Sequence, residues 1–177
     1  MKLDIGCGQS KREGFIGIDI LDFECVDIVH DINKLPFPFE DNSVDEIVMD
    51  NVLEHLIDPI KTLEELYRIC KNSATLHIHV PYFRSFYSTI DPTHRNFFGV
   101  NYFNYFDPTH VFQQKYQYFN AKFIVKEITF DMEWSNSKNI LHRFIKYVAN
   151  KRPYTYEARL SHLYPLNSLY FKLEILK

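Results

Sequence analysis

A chain of 177 residues with 46% apolar residues and a net charge of -3 has room for one domain with a sizeable core, and its length argues against two. No run approaches the roughly eighteen apolar residues of a membrane span, and MKLDIGCG lacks the basic-then-apolar layout of a signal peptide, so a cytoplasmic location is expected. Cys7, Cys25 and Cys70 are odd in number and lack zinc or redox spacing, which argues for reduced thiols and against a disulfide scaffold.

In chain order, KLDIG (2–6) reads as a strand running into a glycine loop, followed by strands at FIGIDI (15–20), DIVHDI (27–32) and EIVMDN (46–51). Between Gly8 and Phe15 stand six residues, fewer than a crossover helix needs. A helix is predicted over 59–71: Asp58 is its N-cap, Pro59 its first residue, Ile60, Leu63, Leu66, Tyr67 and Cys70 share a face, and Asn72 ends it. ATLHIHV (74–80) is the fifth strand, KFIVKEITF (122–130) the sixth and SLYFKLEIL (168–176) the seventh. Over 139–150, Ile140, Leu141, Phe144, Ile145 and Val148 form an apolar stripe that reads as a core contact. Fifteen of the 29 aromatic residues fall between 82 and 123. A connection this long reads as a lid or binding insert, at about 82–121.

This alternation predicts a single α/β domain over 1–177. The expected architecture is a Rossmann-like, doubly wound, mostly parallel seven-stranded sheet whose first crossover helix is shortened or absent. In such a sheet ligands lie across the carboxyl ends of the strands, so the glycine loop, Asp19 and Asp31 converge on one cleft. An ionised carboxylate at Asp19 suits two ribose hydroxyls, and Asp31 suits an amino group of a base. A dinucleotide site is disfavoured, because the loop is followed by no helix to hold a pyrophosphate.

The series LDIGCG, GIDI, HDINKLPFPFEDNSVDEIVMDNVLEHL, ELYRICKN and VPY resembles the class I S-adenosylmethionine-dependent methyltransferases, in particular the type 11 branch, over about residues 2–82. The resemblance implies S-adenosylmethionine as cofactor. Asp4, Gly6, Cys7 and Gly8 would line its methionine end, Asp19 would hold the ribose, Asp31 and Ile32 would flank adenine, Asn51 with Val52 would close the pocket, and Ile20 is a further cofactor-binding position. Glu54 and His55 match a Glu-His pair of the family and take a pocket-edge role. The fourth strand ends in Asp50-Asn51-Val52-Leu53, without the Pro-Pro-Tyr signature of relatives that methylate amide or exocyclic nitrogens. The expected activity is therefore methyl transfer to a small or medium acceptor, at an oxygen.

The tetrapeptide Asp-Pro-Thr-His occurs at 91–94 and again at 107–110. Each copy reads as a turn that leaves its histidine free to project, so His94 and His110 are candidate general bases. The resemblance favours His94, and the bland reading keeps both as lid hydrogen-bonders. His77 and His79 point the same way along a strand, but no carboxylate or cysteine stands at ligand spacing beside them, so no metal is expected. Arg84 and Arg95 flank the aromatic segment and suit either an anionic acceptor or a solvated face.

Residues 135–177 hold 8 Lys/Arg against 2 Asp/Glu, whereas 1–134 hold 12 against 21. That asymmetry motivates a rival reading as an RNA or nucleotide methyltransferase using Lys146, Lys151 and Arg152. A third reading is a catalytically inactive methyltransferase fold that binds partners through its aromatics.

Overall fold

The computed structural model describes residues 1–131 and 139–177. Seven strands form one sheet: β1 (Lys2–Ile5), β2 (Ile16–Asp19), β3 (Ile28–Val29), β4 (Val44–Asp50), β5 (Cys70–Pro81), β6 (Phe123–Phe130) and β7 (Ser168–Ile175). Their order is β3-β2-β1-β4-β5-β7-β6. The first five are parallel, and β7 runs antiparallel to both β5 and β6. The helices are α1 (Pro59–Ile69), α2 (Tyr87–Ile90), α3 (Val111–Tyr116), α4 (Ile140–Lys151) and α5 (Pro153–Arg159), with 3-10 turns at Leu53–His55 and Tyr102–Tyr105. No described helix is long and apolar enough to cross a membrane.

The register puts one kind of side chain on each sheet face. Leu3, Ile47, Leu76 and Leu173 lie abreast, as do Ile5, Met49, Ile78 and Phe171, and all are buried. The alternate residues, Val48, His77 and Lys172 in one row and Asp50, His79 and Tyr170 in the next, occupy the opposite face. A parallel sheet covered on both sides normally reads as unbroken apolar runs, whereas period-two alternation marks one face as solvated. On this polar face a hollow of about 510 Å³ is lined by strand residues and by Arg12 and Phe15 of the first connection.

The apolar face is covered by α1 and by the aromatic segment. Asp58 caps α1 by accepting from Lys61 N, and Leu63, Leu66 and Ile69 are fully buried. The helix ends two residues earlier than expected: Cys70 is extended and buried as the first residue of β5, alongside Val44. Phe103 packs on Phe171 at 4.8 Å and Phe106 on Phe123 at 5.3 Å, both in fully buried positions. Much of the 82–121 segment therefore serves as core, filling area that helices cover in three-layer sheets.

Two expectations need correction. The stripe on α4 is only in part a core contact: Ile145 packs against the core, but Ile140 is 80% and Phe144 63% exposed. The buried row is instead His142 and Ala149, with Lys146 donating to the Asp131 carbonyl. Helix α5 was missed, although Pro153 at its first position is a start signal, and its Tyr156 packs on Phe130 at 4.9 Å.

The first connection contains no helix, as its length predicts. Instead, the 1%-exposed Asp4 carboxylate accepts from Arg12 N at 2.8 Å and from Arg12 Nη1 at 2.9 Å. The same guanidinium reaches Asp50 at the end of β4, at 3.0 Å. Arg12→Ala would remove the charge that offsets buried Asp4. A fully buried pair costs ~3–5 kcal/mol to break; because Arg12 is 40% exposed, a loss of about 2 kcal/mol is expected in urea unfolding. An unchanged midpoint would show that the loop holds without this tie.

Candidate functional site

At the carboxyl ends of β1 to β4 lies a cavity of about 240 Å³. Gly6 forms its floor: it has a φ of +71°, a backbone state suited to glycine, and a Cβ there would stand 2.3 Å from Val52 Cγ2. The loop turns because the N–H groups of Gly6 and Cys7 both donate to Ile18 O, at 2.7 and 3.2 Å. Asn51 also has positive φ, +53°, which bends the chain off β4 and sets Val52 against Gly6.

Of the ten cofactor residues expected from sequence, Gly6, Asp19, Ile20, Asp31, Ile32, Asn51 and Val52 line this one cavity. Asp4, Cys7 and Gly8 do not line it. Asp4 is spent on Arg12, and burial pushes the Cys7 thiol up to about 11, which makes it a poor nucleophile. Gly8 instead donates its N–H to Asp19 Oδ2 at 2.9 Å, while Leu21 N donates to Asp19 Oδ1 at 3.0 Å. A carboxylate has about four acceptor positions, so Asp19 is oriented by the loop and retains capacity for two more donors. Asp31 accepts from Asn33 N at 3.0 Å, a bond that, with the Asn33 side chain and the nearby Lys34, holds its carboxyl below the usual range.

Sequence reasoning missed His30, Asn33 and Leu56 as cavity residues. Asn33 has a visible role, since its Oδ1 accepts from Ile57 N at 2.9 Å and so ties the Asp31 side of the cavity to the segment before α1. None of the fifteen clustered aromatics lines the cavity.

The two Asp-Pro-Thr-His copies fold as the same turn. Thr93 and Thr109 each donate N–H to the preceding aspartate Oδ1 at 2.8 Å, and their hydroxyls donate to the same oxygen at 2.6 and 2.7 Å. Their destinations differ. His110 caps α3, accepting from Phe112 N at 3.2 Å, and its ring packs on Phe112. His94 is carried to the 3-10 turn beside the cavity, because Arg95 N and Asn96 N donate to Glu54 O and Asn96 Nδ2 donates to Leu56 O at 2.7 Å.

There Glu54, His55 and His94 meet. The two imidazoles are 4.7 Å apart, and His94 Nε2 lies 4.0 Å from Glu54 Oε1. Glu54 is 1% exposed, neither carboxylate oxygen has a hydrogen-bond partner, and burial pushes its carboxyl up to about 7. Burial, with help from neighbouring His94, lowers the His55 pKa. His55 belongs to both groups, since it also lines the cavity.

Arg84 and Arg95 are exposed at the rim of this segment, with Arg84 stacked over Phe83 at 5.0 Å. His77 and His79 stay on the polar sheet face, where they bond Tyr170 OH at 2.7 Å and Asp50 at 2.9 Å.

Residues 3–78 match the methyltransferase domain family. No curated protein matches the sequence. Among solved structures, the chain is similar to the Haloferax volcanii complex between the Trm112 methyltransferase activator and a methyltransferase, at 18% identity and TM-score 0.59, covering 99% of this chain and 82% of that one. An S-adenosylmethionine-dependent methyltransferase from Archaeoglobus fulgidus aligns at 22% identity and TM-score 0.55 over 98% and 85% of the two chains. The [4+2]-cyclase SpnF aligns at 15% identity and TM-score 0.55 over 99% and 74%. At these identities the structures speak to fold, which one name shows can host chemistry of another kind. In fold the chain is similar to the two methyltransferases, and its residues 3–78 match the methyltransferase domain family in sequence.

Proposed function

We propose that the chain binds S-adenosylmethionine in the Gly6–Asp19–Asp31 cavity and methylates a hydroxyl of a small or medium acceptor. The observation that carries this reading is the convergence of Gly6, Asp19, Asp31, Asn51 and Val52 on one cavity beside a buried His-Glu cluster. The residues fit such a cofactor: Asp19 has acceptor capacity for ribose hydroxyls, Asp31 can take an amino group, and the floor at Gly6 leaves no room for a side chain. When bound, S-adenosylmethionine supplies an electrophilic methyl group on a sulfonium.

The chain's own part is to hold, orient and deprotonate. Asp19 and Asp31 fix the nucleoside end, and the Gly6–Gly8 loop lies at the methionine end. His94 Nδ1 faces Ser88 O at 3.1 Å, and since a carbonyl only accepts, Nδ1 carries the proton. Nε2 then bears a lone pair, which receives the acceptor hydroxyl's proton as its oxygen takes the methyl group. His94 rather than His110 takes this role, because His110 is committed to capping α3. Most of the acceleration would come from placing the two reactants in line.

The RNA reading loses one of its three cations to an internal contact, as Lys146 is tied to the Asp131 carbonyl.

Asp19→Asn keeps an oxygen for Gly8 N but loses the charge. It is expected to weaken S-adenosylmethionine binding at least tenfold by calorimetry, with the melting temperature little changed; unaltered affinity would remove Asp19 from the site. With methyl-labelled cofactor and a panel of hydroxylated acceptors, His94→Ala should lower kcat by about a hundredfold or more, in the range of general base catalysis. Equal turnover in both proteins would reduce His94 to a lid residue.

A further inference from the structure

The geometry points to Glu54, His55 and His94 as a binding site for a divalent transition cation such as Zn²⁺ or Mn²⁺. One ligand atom from each residue can be chosen so that all three lie within 4.8 Å of one another. Two imidazoles and one carboxylate are a donor set suited to such ions. Bonds of about 2.0–2.2 Å would bring the donors to roughly 3–3.5 Å apart, so binding closes the widest gap by up to roughly 1.3–1.8 Å, within reach of side-chain rotation.

Two features separate this cluster from a chance meeting of polar groups. The first is Glu54, a carboxylate at 1% exposure with both oxygens unpartnered, in a fold where buried polar atoms are almost always satisfied. A cation would satisfy it. The second is the outer hydrogen bonding. His94 Nδ1 donates to Ser88 O. His55 Nδ1 lies 2.9 Å from Thr93 Oγ1, and that hydroxyl already donates to Asp91, so it must accept from His55. Both rings are thus held with Nδ1–H outward and the Nε2 lone pair available. This is the arrangement in which metal-bound histidines are oriented by a second layer of acceptors. The Asp-Pro-Thr-His turn supplies three of these parts: the ligand His94, the orienting Thr93, and Asp91 behind Thr93.

Three protein ligands leave a coordination position open. As His55 also lines the cofactor cavity, that position adjoins it. Here the inference rests on the methyl-transfer reading: an acceptor hydroxyl bound to the ion would lose its proton more easily, and activation would pass from His94 to the cation. The cation site itself stands on the geometry alone.

The test is calorimetric titration of chelator-treated full-length protein with ZnCl₂ and with MnCl₂, in the absence of cofactor. One ion per chain with micromolar affinity is expected for at least one metal, falling tenfold or more in Glu54→Gln and in His94→Ala but not in His162→Ala, an exposed control. If His94→Ala lowers the melting temperature by more than a few degrees, His94→Gln, which retains a donor for Ser88 O, takes its place. No binding up to millimolar metal, or binding that survives Glu54→Gln with His94 also replaced, would overturn the site. A parallel titration with S-adenosylmethionine separates the two claims: cation binding without cofactor binding would defeat the proposed function and leave this site standing.

Discussion

The structure depends on burying one face of a mostly parallel sheet while leaving the other wet. Leu76, Ile78 and Val80 point one way along β5 and are fully buried; His77 and His79 point the other way and are half-buried. Once the polar face needs no cover, the first connection can dispense with a helix. It must still be held, and the buried Asp4 carboxylate does this by gripping Arg12, which also reaches Asp50. The apolar face requires more cover than α1 alone provides, and Phe103, Phe106 and Tyr82 of the long connection between β5 and β6 supply it. The concentration of aromatics thus answers first to packing.

That division explains what the sequence could and could not reveal. All seven strands were legible because period-two alternation survives in short runs such as HIHV and YFKLEI. The absent first helix followed from counting residues between Gly8 and Phe15. The α4 stripe misled because periodicity identifies an apolar face without saying what covers it; Ile140 and Phe144 are exposed, and His142 and Ala149 turn inward. The cavity was largely readable, since glycine at a positive φ and carboxylates at strand ends sit where an open parallel sheet gathers its ligands. Asp4 was placed near the right loop with a different task, because its ion pair with Arg12 spans a loop whose path no local pattern records.

The repeated Asp-Pro-Thr-His turn shows how one local structure takes two roles. Both copies make the same hydrogen bonds to Thr and His, as identical residues should. Only tertiary contacts separate them: Asn96, two residues after the first copy, binds carbonyls of the 3-10 turn at Leu53–His55, and the second copy leads directly into α3. The chemistry proposed for His94 is therefore a consequence of where Asn96 docks the segment. The buried, unpartnered Glu54 beneath it is the least satisfied group of that region, and the cation site turns on it.

The most direct test of the account is to titrate isotopically labelled protein with S-adenosylhomocysteine, the demethylated product, and follow backbone amide shifts. The account predicts saturable changes at Gly6, Gly8, Asp19, Asp31 and Asn51, around the cavity of about 240 Å³. Changes centred instead on His77, His79 and Tyr170, around the larger hollow on the polar sheet face, would contradict it, as would no change at any residue.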